Sequence, residues 1–292
     1  MSKVRNVLYA CATALTMSAV LFAASCKKTT TPAAETTTTA SDQATAEKSY
    51  SDAQTISEDA VASGAGSVIY RTSGIQSSGC ATVTSTTSGS NTVVTINFGT
   101  TDCTCTDGRT RRGEIIVTYP IGSWNTVGAS RTITFNNYYQ NDNLIQGTKT
   151  VTYMGLNTSN QPYYNVVING SVTYPSGKTV TVNWNRVRTW ISGFTLSGTT
   201  PVWTSGIVYS ISGSGNMVNS AGATVAVSID SSTPLIFAFG CRWAEAGTIT
   251  YTLTTDNKTR TVDFGANNGT YTCHDSATVT FANGTQVTLV LP

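Results

Sequence analysis

The stretch KTVTVNWNRVRTW, residues 178–190, decides the fold, and WNRVRTW, residues 184–190, is its centre. In an extended chain successive side chains point to opposite faces. Trp184, Arg186, Arg188 and Trp190 then share one face, while Asn185, Val187 and Thr189 share the other. Guanidinium planes lie well on indole faces, and arginine stems and indoles can bury one another. The row therefore reads as an interlocked ladder on a strand. The competing reading is a ligand surface, in which the same four residues stack on sugar rings and bond their hydroxyls. Tyr138, Tyr139, Tyr163 and Tyr164 would suit such a surface.

The two-residue rhythm continues outward from this strand. It recurs in NTVVTINF (91–98), GEIIVTY (113–119), SRTITFNNYY (130–139), TKTVTYM (148–154) and NGSVTYP (169–175). Beyond the arginine strand it returns in ATVAVSI (223–229), GTITYTLTT (247–255), TRTVDFG (259–265), SATVTFA (276–282) and TQVTLVL (285–291). The intervening QNDN, PSGK, TDNK and ANGT supply the Asn, Asp and Gly that tight hairpins require. The body, residues 66–292, shows no sustained helical period. An all-β class is expected, an antiparallel meander or sandwich of roughly 12–15 strands.

The pattern also echoes itself. Ala81–Thr84, Thr95–Gly99, Cys103 and Cys105, then Val117–Tyr119 form one series. Gly247–Thr250, Thr261–Gly265, Cys273, then Val279–Phe281 form another in the same order, and Cys80 and Cys241 precede them. Residues 80–120 and 241–284 are expected to be two uses of one unit.

The N-terminus reads as an address. Lys3 and Arg5 precede an apolar run from Val7 to Ala24, and small residues lead to Cys26. This is the layout of a secretory signal, assigned here to residues 1–25. Ala23-Ala24-Ser25-Cys26 resembles a bacterial lipobox, with Ala23 where a larger aliphatic residue is usual. Cys26 is therefore the expected lipid attachment site, which makes the membrane the first partner. Lys27, in place of an aspartate, points to the outer membrane by resemblance to Gram-negative sorting rules, with the leaflet left open.

Residues 26–65 are rich in Thr, Ala, Ser and Glu and nearly lack large apolar side chains. Such a segment cannot offset its own ordering entropy, so a flexible tether is expected. A short helix over SDAQTISEDAVA, capped by Ser51 or Asp52, is compatible with it.

The chain has 17 Lys+Arg against 15 Asp+Glu. The tether holds Glu35, Asp42, Glu47, Asp52, Glu58 and Asp59 against three lysines, leaving the body twelve bases and nine acids. That excess is too small for the basic field of a nucleic-acid binder.

Five cysteines remain beyond the N-terminal segment: Cys80, Cys103, Cys105, Cys241 and Cys273. An oxidising compartment favours disulfides. The echo pairs Cys80 with Cys103 or Cys105, and Cys241 with Cys273, leaving one thiol over. Zinc sites favour two residues between paired cysteines, and His274 is the sole histidine, so no metal is expected. No cofactor fingerprint occurs. Cys273 and His274 are adjacent and point apart if extended, the wrong geometry for a nucleophile and its base. Two acids meeting as in glycosidases would need the fold to bring them together. The sequence leans away from an enzyme without closing that class. Arg109, Arg111 and Arg112, in DGRTRRG (107–113), read either as anion contacts or as a hairpin whose arginines pair with Asp102, Asp107 or a neighbouring strand.

Taken with SCKK, CATVT, FNNYY, the W-x-R-x-R-x-W strand and the CRW…FG…C ending, these features resemble an uncharacterised β-rich lipoprotein family of the Bacteroidota. The resemblance covers most of the body and implies no activity and no site residues. The expected function is a lipid-anchored, non-catalytic binding or structural domain of the cell envelope, with a glycan or envelope protein as partner. The alternative is an envelope glycan hydrolase or a glycan-binding accessory protein.

Overall fold

The computed structural model describes residues 32–62 and 80–291, apart from 124, 125, 199, 239, 240 and 256. The signal at 1–25, the lipid site Cys26 and the ends of the expected tether (26–31 and 63–65) lie outside the described residues. The chain opens with one helix, α1 (Pro32–Ala62). It continues through β1 (Thr82–Ser88), β2 (Asn91–Asn97), β3 (Cys103–Thr104), β4 (Thr110–Pro120), β5 (Ser130–Gln140), β6 (Asn143–Leu156), β7 (Pro162–Thr173) and β8 (Thr179–Ser197). Then come β9 (Thr200–Val218), β10 (Thr224–Ile229), β11 (Leu235–Ala238), β12 (Thr248–Leu253), β13 (Thr259–Asp263), β14 (Ser276–Thr280) and β15 (Gln286–Val290).

All fifteen strands belong to one antiparallel sheet. Its neighbours follow chain order, except that β3 pairs only with β4 and β11 pairs with β9. The class is all-β, with one helix inside. Asn141 and Asp142 turn the β5–β6 hairpin at φ 50° and 60°, the left-handed pair that a two-residue connection needs. Register shifts at Arg112/Glu114, Thr134/Tyr138 and Tyr153/Leu156 insert bulges in successive strands. Bulges bend and twist the strands that carry them, and the sheet curves around α1.

Alternation sets the inner face. On β8, Val180, Val182, Trp184, Arg186, Arg188 and Trp190 are buried, while Thr179, Thr181, Asn183, Asn185 and Val187 are exposed. Each large apolar side chain on the inner row contributes about 1.5–3 kcal/mol by leaving water. The longest strand that the period does not reveal is β9, because Gly206, Gly213 and Gly215 interrupt it. Those glycines have a reason. Gly215 lies opposite Trp184 and Gly213 opposite Arg186. A Cβ on Gly215 would collide with the Asn183 carbonyl and stand 2.9 Å from Trp184 Cδ1. The bare backbone makes room for the indole.

The helix corrects the expected tether. Residues 32–62 are one continuous α1. From Thr39 onward most of its side chains are buried, including Ala40, Ala46, Tyr50, Ala53, Ile56 and Ala60, while Ser41, Thr45, Lys48, Asp52 and Thr55 form one half-buried stripe. Pro32 opens it, the position where a missing N–H costs nothing. The tether reading failed because it weighed only the apolar surface the segment carries. Here the sheet supplies polar partners, and small alanines and serines keep the helix narrow enough to fit. Tyr50 Oη donates to the Gln146 carbonyl at 2.7 Å, Lys149 Nζ to the Tyr50 carbonyl at 2.9 Å, and Tyr174 Oη to Asp42 at 2.8 Å. Ser51 and Tyr209 share a hydroxyl contact at 2.7 Å. Tyr251 donates to Gln43 at 3.3 Å.

Disulfides join Cys80 to Cys103 and Cys241 to Cys273, and Cys105 is a buried free thiol. Each bridge ties a residue before a pair of strands to the chain that follows the pair, at Cys103 of β3 in one case and at Cys273 in a loop in the other. The echoed segments also share a turn: Gly99 N–H donates to Asn97 Oδ1 at 2.7 Å, and Gly265 N–H to Asp263 Oδ1 at 2.8 Å. The buried Phe98 and Phe264 sit between those residues. They differ in their neighbour, since Phe98 pairs with Gly113 of the following strand and Phe264 with Gly247 before the preceding one.

Candidate functional site

Charge inside the sheet is arranged in two sets. Among the described residues, the buried cations are Arg111, Arg131, Lys149, Arg186, Arg188 and Arg260, all on strands. The buried carboxyls are Asp42, Glu47, Glu58 and Asp59 of α1, with Glu245 the single one from the body. The helix is thus the counter-ion of the sheet. Arg131 Nη2 pairs closely with Glu58 Oε1. Arg186 Nε lies 3.3 Å from Glu47 Oε2. Burial pushes the Glu58 carboxyl up, but the charges of Arg188 and Arg131, with the Gln54 hydrogen bond, outweigh it and hold it below its usual value. Lys149 goes the other way: burial foremost, then the Arg188 charge, brings its pKa from 10.5 down to about 7.

One end of this interior opens into a cavity of ≈ 570 Å³. Helix α1 contributes Lys48, Asp52, Thr55 and Ile56, the turn before β4 contributes Asp107 and Arg109, and β4 itself contributes Arg111. Arg188 and Trp190 of β8 and Ile207 and Tyr209 of β9 form the opposite wall, and exposed Thr106, Gly108 and Arg242 stand at the mouth. A smaller cavity of ≈ 280 Å³ adjoins it, sharing Lys48, Arg109, Asn141 and Arg242. Arg188 Cζ lies 3.8 Å from the Tyr209 ring centre and 4.8 Å from that of Trp190.

Both carboxylates of the cavity are committed. Asp52 lies 2.8 Å from Lys48 Nζ and 3.3 Å from Arg109 Nε. Asp107 takes Arg111 at 2.6 Å and Arg109 at 2.9 Å. Burial pushes each carboxyl up. At Asp107 the Arg111 hydrogen bond and charge, followed by Arg109, bring it down to about 2. At Asp52 the charges of Lys48, Arg109 and Arg111 bring it below its usual value. A glycosidase needs one acid that keeps its proton, and both acids here are held ionised. Glu245, whose carboxyl burial pushes up, does not line this cavity. His274 places Nδ1 2.9 Å from the Ser276 carbonyl and Nε2 3.4 Å from the Glu245 carbonyl, so both ring nitrogens face backbone carbonyls. Cys241 and Cys273 come near Glu245, but they are joined to each other and offer no thiolate to a metal.

The residues of the WNRVRTW strand do lie on one face, and that face is internal. Trp184 and Arg186 are sealed against α1, so the exposed four-residue glycan platform is corrected: its counter-charges sit on the helix, which draws the row inward. Arg188 and Trp190 alone of the four reach the cavity. The tyrosines separate too, with Tyr138 and Tyr164 buried while Tyr139 and Tyr163 face outward. Of the hairpin arginines, Arg109 and Arg111 reach the cavity. Arg112 is outside it, over the Tyr139 ring at 3.8 Å and bonded to Asp102 and Asp142 at 2.6 and 2.7 Å. Lys48, Tyr209 and Arg242 were not singled out in the sequence, and Asp52 was read only as a helix cap. The usable signal was the acidic segment itself, whose Glu47 and Glu58 stand three helical turns apart and so share a face.

Comparison with protein-family models, curated proteins and solved structures finds no match to this chain.

Proposed function

We propose that the chain is a lipid-anchored, non-catalytic binding domain of the outer membrane, with the cavity beside α1 as its ligand site. The observation that carries the binding reading is the ≈ 570 Å³ opening, which joins an aromatic wall to a row of fixed charges. Such a mixture suits a small-molecule site. The non-catalytic part rests on the acids, each tied to an arginine or lysine, and on the histidine, tied to backbone carbonyls. The anchored part rests on the signal pattern and Cys26, and the two disulfides fit an oxidising compartment. Palmitate labelling with and without globomycin tests the anchor. Labelled wild type in the outer-membrane fraction and unlabelled Cys26→Ala support it, and label retained in Cys26→Ala removes it. Incubation of the purified protein with envelope glycans is expected to release no new reducing ends. Release that disappears in Asp52→Asn would establish a hydrolase instead.

A further inference from the structure

We infer that the cavity takes a small organic oxyanion, a carboxylate or phosphate on a flat apolar body, with Arg188 as its anchor. This deepens the binding-domain reading and rests on it. The Arg188 side chain is 2% exposed, and its nearest carboxylate oxygen, Glu58 Oε2, stands 3.9 Å away, beyond hydrogen-bond reach. Nε, Nη1 and Nη2 have no hydrogen-bond partner among the described residues. A buried cation whose donors are unmet is costly in a folded interior, and an oxyanion in the adjoining cavity meets them. With Tyr209 and Trp190 stacked on the guanidinium, the free donors lie along its edge. That fork matches two oxygens of a carboxylate or phosphate.

The surrounding charges select the same sign. Lys48, Arg109, Arg111, Arg188 and Arg242 line the cavity against Asp52 and Asp107, which already serve Lys48, Arg109 and Arg111. Even with Glu58 3.9 Å from Arg188, five cations against two carboxylates leave the lining net positive, with Arg188 at the back and Arg242 at the mouth. That surplus disfavours a cationic ligand. Ile56, Ile207 and the two rings supply an apolar wall that a bare inorganic ion would leave unused.

Isothermal titration calorimetry on the purified chain, with phenyl phosphate, benzoate, inorganic phosphate and benzyl alcohol as probes, tests this. Phenyl phosphate and benzoate are expected to bind saturably, inorganic phosphate about tenfold more weakly or worse, and benzyl alcohol not at all. Arg188→Gln should weaken phenyl phosphate by about tenfold or more. Should that variant fail to fold, Arg242→Gln at the exposed mouth should still cost a few-fold. Thr55→Trp, at an uncharged and half-buried position of the cavity wall, should fill the cavity and abolish binding. Benzyl alcohol binding as tightly as phenyl phosphate would overturn the anion while leaving the cavity as a site. No saturable binding of any probe by the folded protein would overturn both. Inorganic phosphate matching phenyl phosphate would overturn the apolar body, and undiminished binding in Thr55→Trp would overturn the location.

Discussion

Helix α1 and strand β8 meet inside the same molecule, yet only one of them declares itself in the sequence. Strand β8 has water on one face and the interior on the other, so its side chains alternate and its period is plain. Helix α1 has protein around most of its circumference, and its half-buried stripe of Ser41, Thr45, Lys48, Asp52 and Thr55 is little more polar than what it buries, so no apolar face stands out. A one-sided environment imprints a rhythm on a segment, whereas one that encloses most of it leaves little but composition. The two elements are also electrical complements. Strand β8 turns Arg186 and Arg188 inward, and α1 presents Glu47 and Glu58 to them.

The sharpest way to break this complement is at Glu58, which faces both Arg131 and Arg188. Glu58→Ala would leave two buried guanidinium groups without their shared carboxylate, and urea denaturation should show a loss of about 3–5 kcal/mol. A loss under 1 kcal/mol would mean that helix and sheet are not electrically coupled. On the strand side, Gly215→Ala puts a methyl group against the Asn183 carbonyl and the Trp184 ring. A loss of about 1–3 kcal/mol is expected there, while Gly177→Ala, which meets no neighbour, should lose less despite its positive φ.

The smallest effect sharpens the comparison through pH. Lys149 holds its proton to about pH 10.5 when unfolded and only to about 7 when folded. Between those values the unfolded chain binds the extra proton, so stability rises with pH, by ~1.4 kcal/mol per unit from this group. Below pH 7 both states are protonated and the group adds no slope. Urea midpoints at pH 7.5 and 9 should therefore differ less in Lys149→Met than in wild type. Equal slopes in the two proteins would contradict the burial of Lys149 beneath α1.

What the sequence disclosed follows from the same contrast. The strands, the hairpin turns and the sidedness of Trp184 through Trp190 all follow from a period of two. Strand β9 escaped because glycines that make way for Trp184 and Arg186 erase its rhythm. The cysteine order left Cys103 and Cys105 as alternatives, since they stand two residues apart in the chain, and the structure pairs Cys103 with Cys80. Of the helix only its last part, SDAQTISEDAVA (51–62), was expected, with Ser51 or Asp52 as a cap where the structure has both in mid-helix. The rest was hidden by a rule that asks a segment to carry its own apolar surface. Its charge, six acids against the single Lys48 within 32–62, was visible beside the body's surplus of bases, and the two belong to one ledger of charge. The cavity was out of reach, because Lys48, Arg109, Arg188, Tyr209 and Arg242 converge only once the sheet has curved.

Hydrogen exchange followed by mass spectrometry over residues 39–60 tests the central claim most directly. A helix enclosed by the sheet predicts amides that exchange only on global unfolding, as slowly as those of β7 and β8. Exchange within seconds across that segment, with β7 and β8 still protected, would contradict it.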